Sequence, residues 1–248
     1  MTEAIASVRR RRRRTVLEAM ALIIGTLLLL WGADRLAEIG AESLLERNIQ
    51  DVTGVVERPV VDVRGPLFLP QAIRGAYGDV RVSVSDLRSG PLTVERVDAK
   101  LLDVRMPLKD VLLRDIRRVG VGQATDQVTL RFQDLNAYFE TTGQSLRLTG
   151  TDDGHVEMSG YFIVLGQTVR ATAEVDLQVD GSQLRIAPRE VDTGDTVLDS
   201  ARRLLLNQRL GLTIPLDTLP FGTELTGVSV DADELRITAT STAIVLRP

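Results

Sequence analysis

The 248-residue chain contains no cysteine, one histidine, one tryptophan and two lysines, and aromatic residues make up only 4% of it. Without cysteine there are no disulfides, no thiolate nucleophile and no cysteine metal site. The single histidine, His155, lies in a turn-like DDGHVE stretch. Histidine catalysis needs a positioned nucleophile and an orienting acid around the ring, and no G-x-S-x-G elbow accompanies it. No Walker-type loop is present, and no G-x-G-x-x-G follows a strand. Carboxylates are plentiful, but the only tryptophan is Trp31, so the sequence beyond it has no indole platform of the kind sugar-cleaving sites use. Asp192–Asp199, DTGDTVLD, lacks the alternating oxygen ligands and closing glutamate of a calcium loop. Helix capping by Asp195 is the simpler reading. The residues thus point to neither an enzyme nor a cofactor or metal site.

Charge is distributed unevenly. The whole chain carries −4, yet residues 1–32 hold six arginines against Glu3 and Glu18, a net +4 that leaves −8 for the remainder. Arg9–Arg14 run directly into an apolar stretch that ends at Trp31-Gly32-Ala33. The uncharged core, Ala19–Ala33, is 15 residues, about 22 Å as a helix against about 30 Å of hydrocarbon; counting from Thr15 extends it to about 28 Å. This is the pattern of a short membrane anchor or of a signal-peptide apolar region. The bulky Trp31 stands where a small residue belongs in a cleavage site, so an uncleaved signal anchor is the expectation. Flanking arginines stay in the cytoplasm, which places residues 34–248 outside. The expected organisation is a cytoplasmic segment 1–14, a transmembrane segment 15–33 and an extracytoplasmic domain 34–248, released only if the segment is cleaved. An acidic outer domain is not built to grip nucleic acid by bulk charge.

Beyond the apolar stretch, DRLAEIGAESLLERN (34–48) reads as a helix with Leu36, Ile39, Ser43 and Leu44 toward one face. From Val60 onward the period is two. Val80, Val82 and Val84 alternate with Arg81, Ser83 and Ser85, and Val169–Val179 alternates without a break over 11 residues, about 36 Å of strand. Leu92–Leu102 is a less regular strand, and Val128–Phe132 and Leu235–Ala239 repeat the pattern. Tight-turn sequences separate these runs: Arg88–Pro91, Asp152–Gly154, Asp180–Ser182 and Asp231–Asp233. Helices are expected at Leu67–Arg74, Pro107–Leu113, Asp134–Thr142 and, longest, Thr196–Leu210, whose apolar stripe includes Leu198 and Leu205 while Arg202 and Arg203 fall opposite. The fold class is α+β: a long curved antiparallel sheet wrapped around an amphipathic helix, behind one N-terminal transmembrane helix. Small inward residues such as Ala171, Ala173 and Ala239 leave room for an aliphatic interior suited to acyl chains.

At Gly65–Leu87, GPLFLPQAIRGAYGDVRVSVSDL, the chain resembles the LmeA-like phospholipid-binding family of mycobacterial-type cell envelopes. A glycine, a short apolar helix, a Gly-x-Tyr-x-x-Val and an alternating strand follow in order. Gly90-Pro-Leu-Thr-Val-Glu-Arg-Val, Leu219-Pro-Phe-Gly and the closing strands continue the likeness. The resemblance implies a tubular lipid-binding architecture and a non-enzymatic protein that holds or transfers phospholipids, phosphoinositide-type lipids first among them, in support of lipoglycan or envelope assembly. The partners it implies are the membrane, such a lipid and an envelope glycosyltransferase. The alternative is a membrane-anchored scaffold that docks an envelope enzyme. The family supplies no charged site that maps onto this chain. The candidate lipid-contacting set is therefore drawn from inward apolar positions: Phe68, Leu69, Ile73, Tyr77, Val82, Phe132, Phe139, Phe162, Ala171, Ala173, Leu198 and Leu205.

Overall fold

The computed structural model describes residues 2–113, 119–151, 153–164, 167–192, 211–215 and 224–246. The expected helix Thr196–Leu210, with Leu198, Leu205, Arg202 and Arg203, and the capping residue Asp195 lie outside them. The remainder is α+β, with two curled antiparallel sheets and a long N-terminal helix. Helix α1 (Thr2–Thr53) is one continuous element, about 78 Å at 1.5 Å per residue. Strand β1 (Val60–Arg64), helix α2 (Phe68–Arg74), strands β2 (Ala76–Ser89) and β3 (Leu92–Arg105), helix α3 (Leu108–Leu112), strand β4 (Val119–Arg131) and helix α4 (Phe132–Thr141) follow. Then come β5 (Leu146–Gly150), β6 (Val156–Val164), β7 (Gln167–Asp180), β8 (Gln183–Asp192), β9 (Leu212–Pro215), β10 (Glu224–Val230) and β11 (Glu234–Leu246).

The strands form a six-stranded sheet of order β1-β2-β3-β4-β11-β10 and a five-stranded sheet of order β5-β6-β7-β8-β9. The single meander expected from the alternation is thus divided in two, and the dividing element is α4. Its Asn136 side chain acts as a short strand on the edge of the second sheet. Asn136 Nδ2 donates to the Leu148 carbonyl at 2.9 Å, and the Leu148 amide donates to Asn136 Oδ1 at 2.7 Å. Pairing both edge groups of Leu148 leaves that position of β5 nothing to offer another strand. Asp134, the expected start of α4, lies within its first turn, where its carboxylate holds Arg131 at 2.8 Å. A hydrogen bond from the Leu225 amide to the Gly181 carbonyl ties the sheets together at another point. One hydrophobic cluster takes in the inward side chains of both sheets.

Rungs across the first sheet show how the alternation is used. Val84, Val97, Val128 and Ile237 stand side by side, as do Val82, Ala99, Asp126 and Ala239. The period breaks along one line across four strands. The register skips Gly78 opposite Asp103, and Gly122 opposite Ala243. Asp103 and Ala243 carry φ of 52° and 53°, left-handed backbone that L residues rarely adopt. A Cβ on Gly122 would approach the Asp103 Cβ to 2.9 Å, so the close approach requires glycine there. On one side of the line Val80, Leu101 and Ala124 point inward; on the other Tyr77, Val104 and Val121 do. Across this line the inward phase of β2, β3 and β4 moves by one position, so their apolar face stays inward while the sheet bends, as bulges do. A second break at Asp86 (φ 51°) shifts β2 and β3 in the same way. It explains the irregular alternation of the third strand.

Helix α1 leaves its apolar stretch at Asp34 and packs on the first sheet. Its half-buried apolar stripe, packed against the core, is Ala37, Ala41, Leu45 and Ile49. Leu36 and Ile39, expected on the apolar face, are 74% and 58% exposed. The small Ala37 and Ala41 let the helix lie close, and that closeness outweighs the bulk of the neighbouring face. Two carboxylates secure the contact. Asp34, only 5% exposed, accepts from the Phe68 amide at 2.9 Å and the Leu69 amide at 2.6 Å, the first turn of α2. Glu42 Oε1 accepts from the Val63 amide of β1 at 2.9 Å. Asp34 therefore supplies from a distant segment the cap that Leu67 cannot supply locally. Asp34→Ala is expected to cost about 3 kcal/mol, since it strands one buried and one half-buried amide. Urea denaturation, with faster hydrogen exchange at Phe68 and Leu69, checks this; Asp34→Asn, which retains one acceptor, should cost less.

Candidate functional site

Two places in the fold have the chemistry of a ligand site. The first is the shared inner face of the sheets. In the second sheet, Gly160 stands opposite Ala171 and Met158 opposite Ala173. Ala171 and Ala173 are 1% and 2% exposed. Small side chains here keep the inner face shallow between the larger Val156, Leu184 and Ile186. In the first sheet Val82 is buried on the rung that holds Asp126, flanked by Ala99 and Ala239. Asp126 is 2% exposed and engaged in an interaction of its own. A carboxylate among alanines on an aliphatic face is the feature that the sequence reading missed. The signal was present: Ala124, Asp126, Val128 and Leu130 share one phase, and the acid interrupts it.

The second place is a cavity of about 690 Å³ at the α2–α3 end of the first sheet. Ala72, Ile73, Arg74 and Gly75 line it from α2, and Arg105, Met106 and Lys109 from the end of β3 and from α3. Phe68 and Tyr77 stand near it, both buried, with ring centroids 6.2 Å apart and planes at 35°. Burial raises the Tyr77 phenol above the ordinary tyrosine range. Leu69 is half-buried, and Ile73, at the cavity wall, is 80% exposed.

The remaining candidates are elsewhere. Phe132 and Phe139 are buried where β4 runs into α4, about 35 Å along the strand from the Tyr77 end at 3.3 Å per residue. Phe139 packs edge-on against Tyr138 with centroids 5.8 Å apart. Phe162 occupies β6 opposite Val169; its side chain lies outside what is described, as do Leu198 and Leu205. Phe68, Tyr77, Val82, Phe132, Phe139, Ala171 and Ala173 thus all belong to the one hydrophobic cluster, spread from its two ends along the inner face. His155 is exposed in its turn, with Nδ1 at 3.1 Å from Glu174 Oε1, to which Arg189 also bonds. Among the described residues no three acidic or imidazole groups gather as metal ligands.

With this geometry in view, comparison with protein families is decisive. The family model for LmeA-like phospholipid-binding proteins matches residues 32–240. The chain belongs to the LmeA-like phospholipid-binding family. No curated protein and no solved structure matches it. The match begins at Gly32, so it takes in the exit of the apolar helix together with both sheets. Membership in this family supports a lipid-binding role for the chain.

Tyr77 offers a check on the packing at the cavity end. Its folded-state pKa is raised, so the folded chain favours the neutral phenol. The linked stability is present up to the ordinary tyrosine range and is lost as pH rises through the raised value. Tyr77→Phe should remove this alkaline loss, and denaturation midpoints measured across the alkaline range should flatten. An unchanged alkaline slope would show that another group carries it.

Proposed function

We propose that this protein is a non-enzymatic, membrane-anchored carrier that holds a phospholipid between its two sheets on the outer side of the membrane. The family match, set beside the small-lined aliphatic inner faces, carries this reading. Helix α1 is the one element among the described residues long and apolar enough to cross a bilayer. Its Leu22, Ile23 and Leu27–Trp31 are exposed all round, as a lipid-facing helix requires. The Arg9–Arg14 run supports an inside N-terminus, with residues 1–14 cytoplasmic, 15–33 in the membrane and 34–248 in the envelope space. The ligand is a phospholipid or phosphoinositide-type lipid, and its delivery serves lipoglycan or envelope assembly beside a glycosyltransferase.

The energetics suit a carrier that grips chains rather than charge. Burying one 16-carbon acyl chain contributes at most about 13 kcal/mol at about 0.8 per methylene, before ordering and transfer costs. A domain of net charge −8 needs no bulk attraction to hold such a ligand. The second reading, a scaffold whose interior is filled by its own side chains, is favoured by the continuity of the packed cluster across both sheets.

Bulk on the inner face separates the two readings. Ala171→Trp and the milder Ala173→Leu each overpack the β6–β7 face and should cost about 1–3 kcal/mol. Under the carrier reading both variants, folded by circular dichroism, bind fluorescent phospholipid far more weakly than the parent in detergent-free nanodiscs. Equal binding by folded variants and parent would count against the carrier.

A further inference from the structure

We infer that the α2–α3 end of the first sheet is a membrane-contact surface. In it Leu67, Ile73, Leu112 and Leu113 enter the headgroup layer of the leaflet that α1 leaves, and Arg74, Arg105 and Lys109 meet its lipid phosphates. This rests on the membrane-anchored reading of α1 and adds where on the domain the lipid enters. Asp34 is the first charged residue beyond the apolar stretch, and Trp31 lies one turn before it. The two hydrogen bonds of Asp34 to the Phe68 and Leu69 amides, at 2.9 and 2.6 Å, hold α2 against the point where the helix emerges. Helix α3 also contacts α1. The chain climbs away along α1, returns down β1 into α2, climbs β2, returns down β3 into α3, and climbs β4. Both short helices therefore lie at the membrane end.

The side chains at this end fit that place. Leu67, Ile73, Leu112 and Leu113 are 44%, 80%, 62% and 74% exposed. Four large aliphatic groups left exposed on two short helices and the residues flanking them, Leu67 before α2 and Leu113 after α3, are more than a soluble tip needs. The opposite end has a different character: its turns are Arg88–Pro91 and Asp231–Asp233, and Asp233 is exposed. The charge is reversed as well. Within a domain of net −8, the cavity wall carries Arg74, Arg105 and Lys109, the last one of two lysines in the chain. None of the ion pairs among the described residues engages them. Arginine and lysine around an apolar patch match a layer of phosphates above acyl chains. The cavity of about 690 Å³ between α2 and α3 then opens on the bilayer surface, where a headgroup can enter it as its chains pass to the inner face.

The absence of cysteine makes the test direct. Ile73→Cys, Leu112→Cys and, as the far-end reference, Asp233→Cys are each labelled with bimane in the full chain. The protein is reconstituted in phosphatidylcholine–phosphatidylglycerol nanodiscs, with or without lipids bearing a nitroxide near the headgroup. The expected result is quenching at residues 73 and 112 severalfold stronger than at 233. Combining Arg74→Glu, Arg105→Glu and Lys109→Glu should return both labels toward the reference. Quenching no stronger than at 233 overturns the inference. Shielding of the labels from aqueous iodide without lipid quenching marks a protein-docking face and overturns it too. Phospholipid retained by the parent despite unquenched labels leaves the carrier reading standing while this inference falls. Quenched labels without retained lipid uphold the contact surface while the carrier reading falls.

Discussion

The fold depends on one contact more than any other: the buried carboxylate of Asp34 on the first two amides of α2. A helix of about 78 Å would otherwise be joined to the sheets only by the chain from Gly54 to Pro59. With Asp34 holding α2 and Glu42 holding β1, the outer half of α1 becomes a layer of the domain. Ala37, Ala41, Leu45 and Ile49 then pack against the sheet. The orientation of the whole domain relative to the apolar segment follows from these bonds, because α1 is continuous through both.

The sheets answer a second constraint. Long strands with one apolar face must curl to keep that face inward, and in β2 and β3, each of 14 residues, the alternation is interrupted as they do so. The line through Gly78, Asp103, Gly122 and Ala243 resolves this by resetting the phase in β2, β3 and β4 together. Left-handed backbone at Asp103 and Ala243 is the cost of a closed inner face.

Much of this was legible in the sequence. Alternation located β2, β7 and β11, since the exposed positions carry Arg, Ser, Glu and Thr and the buried ones Val, Ala and Ile. The short helix α2 and its glycine stop were also legible, as was the resemblance over Gly65–Leu87. Three features were not. The stripe on α1 was misread because Leu36 and Ile39 outweigh Ala37 and Ala41 in hydropathy, whereas packing rewards closeness. The contact by which Asn136 closes the edge of the second sheet at Leu148 is tertiary and has no local signature. The cavity at α2–α3 joins residues about 30 positions apart, and nothing in either segment names the other.

The central claim is that the interior of this domain holds a phospholipid. Native mass spectrometry of the full chain, released from nanodiscs of native lipid extract, tests it most directly. The account predicts one phospholipid per chain surviving activation that strips annular lipids, with Ala171→Trp appearing at the bare protein mass. A parent chain that sheds all lipid under the same activation as its Ala171→Trp variant would contradict it.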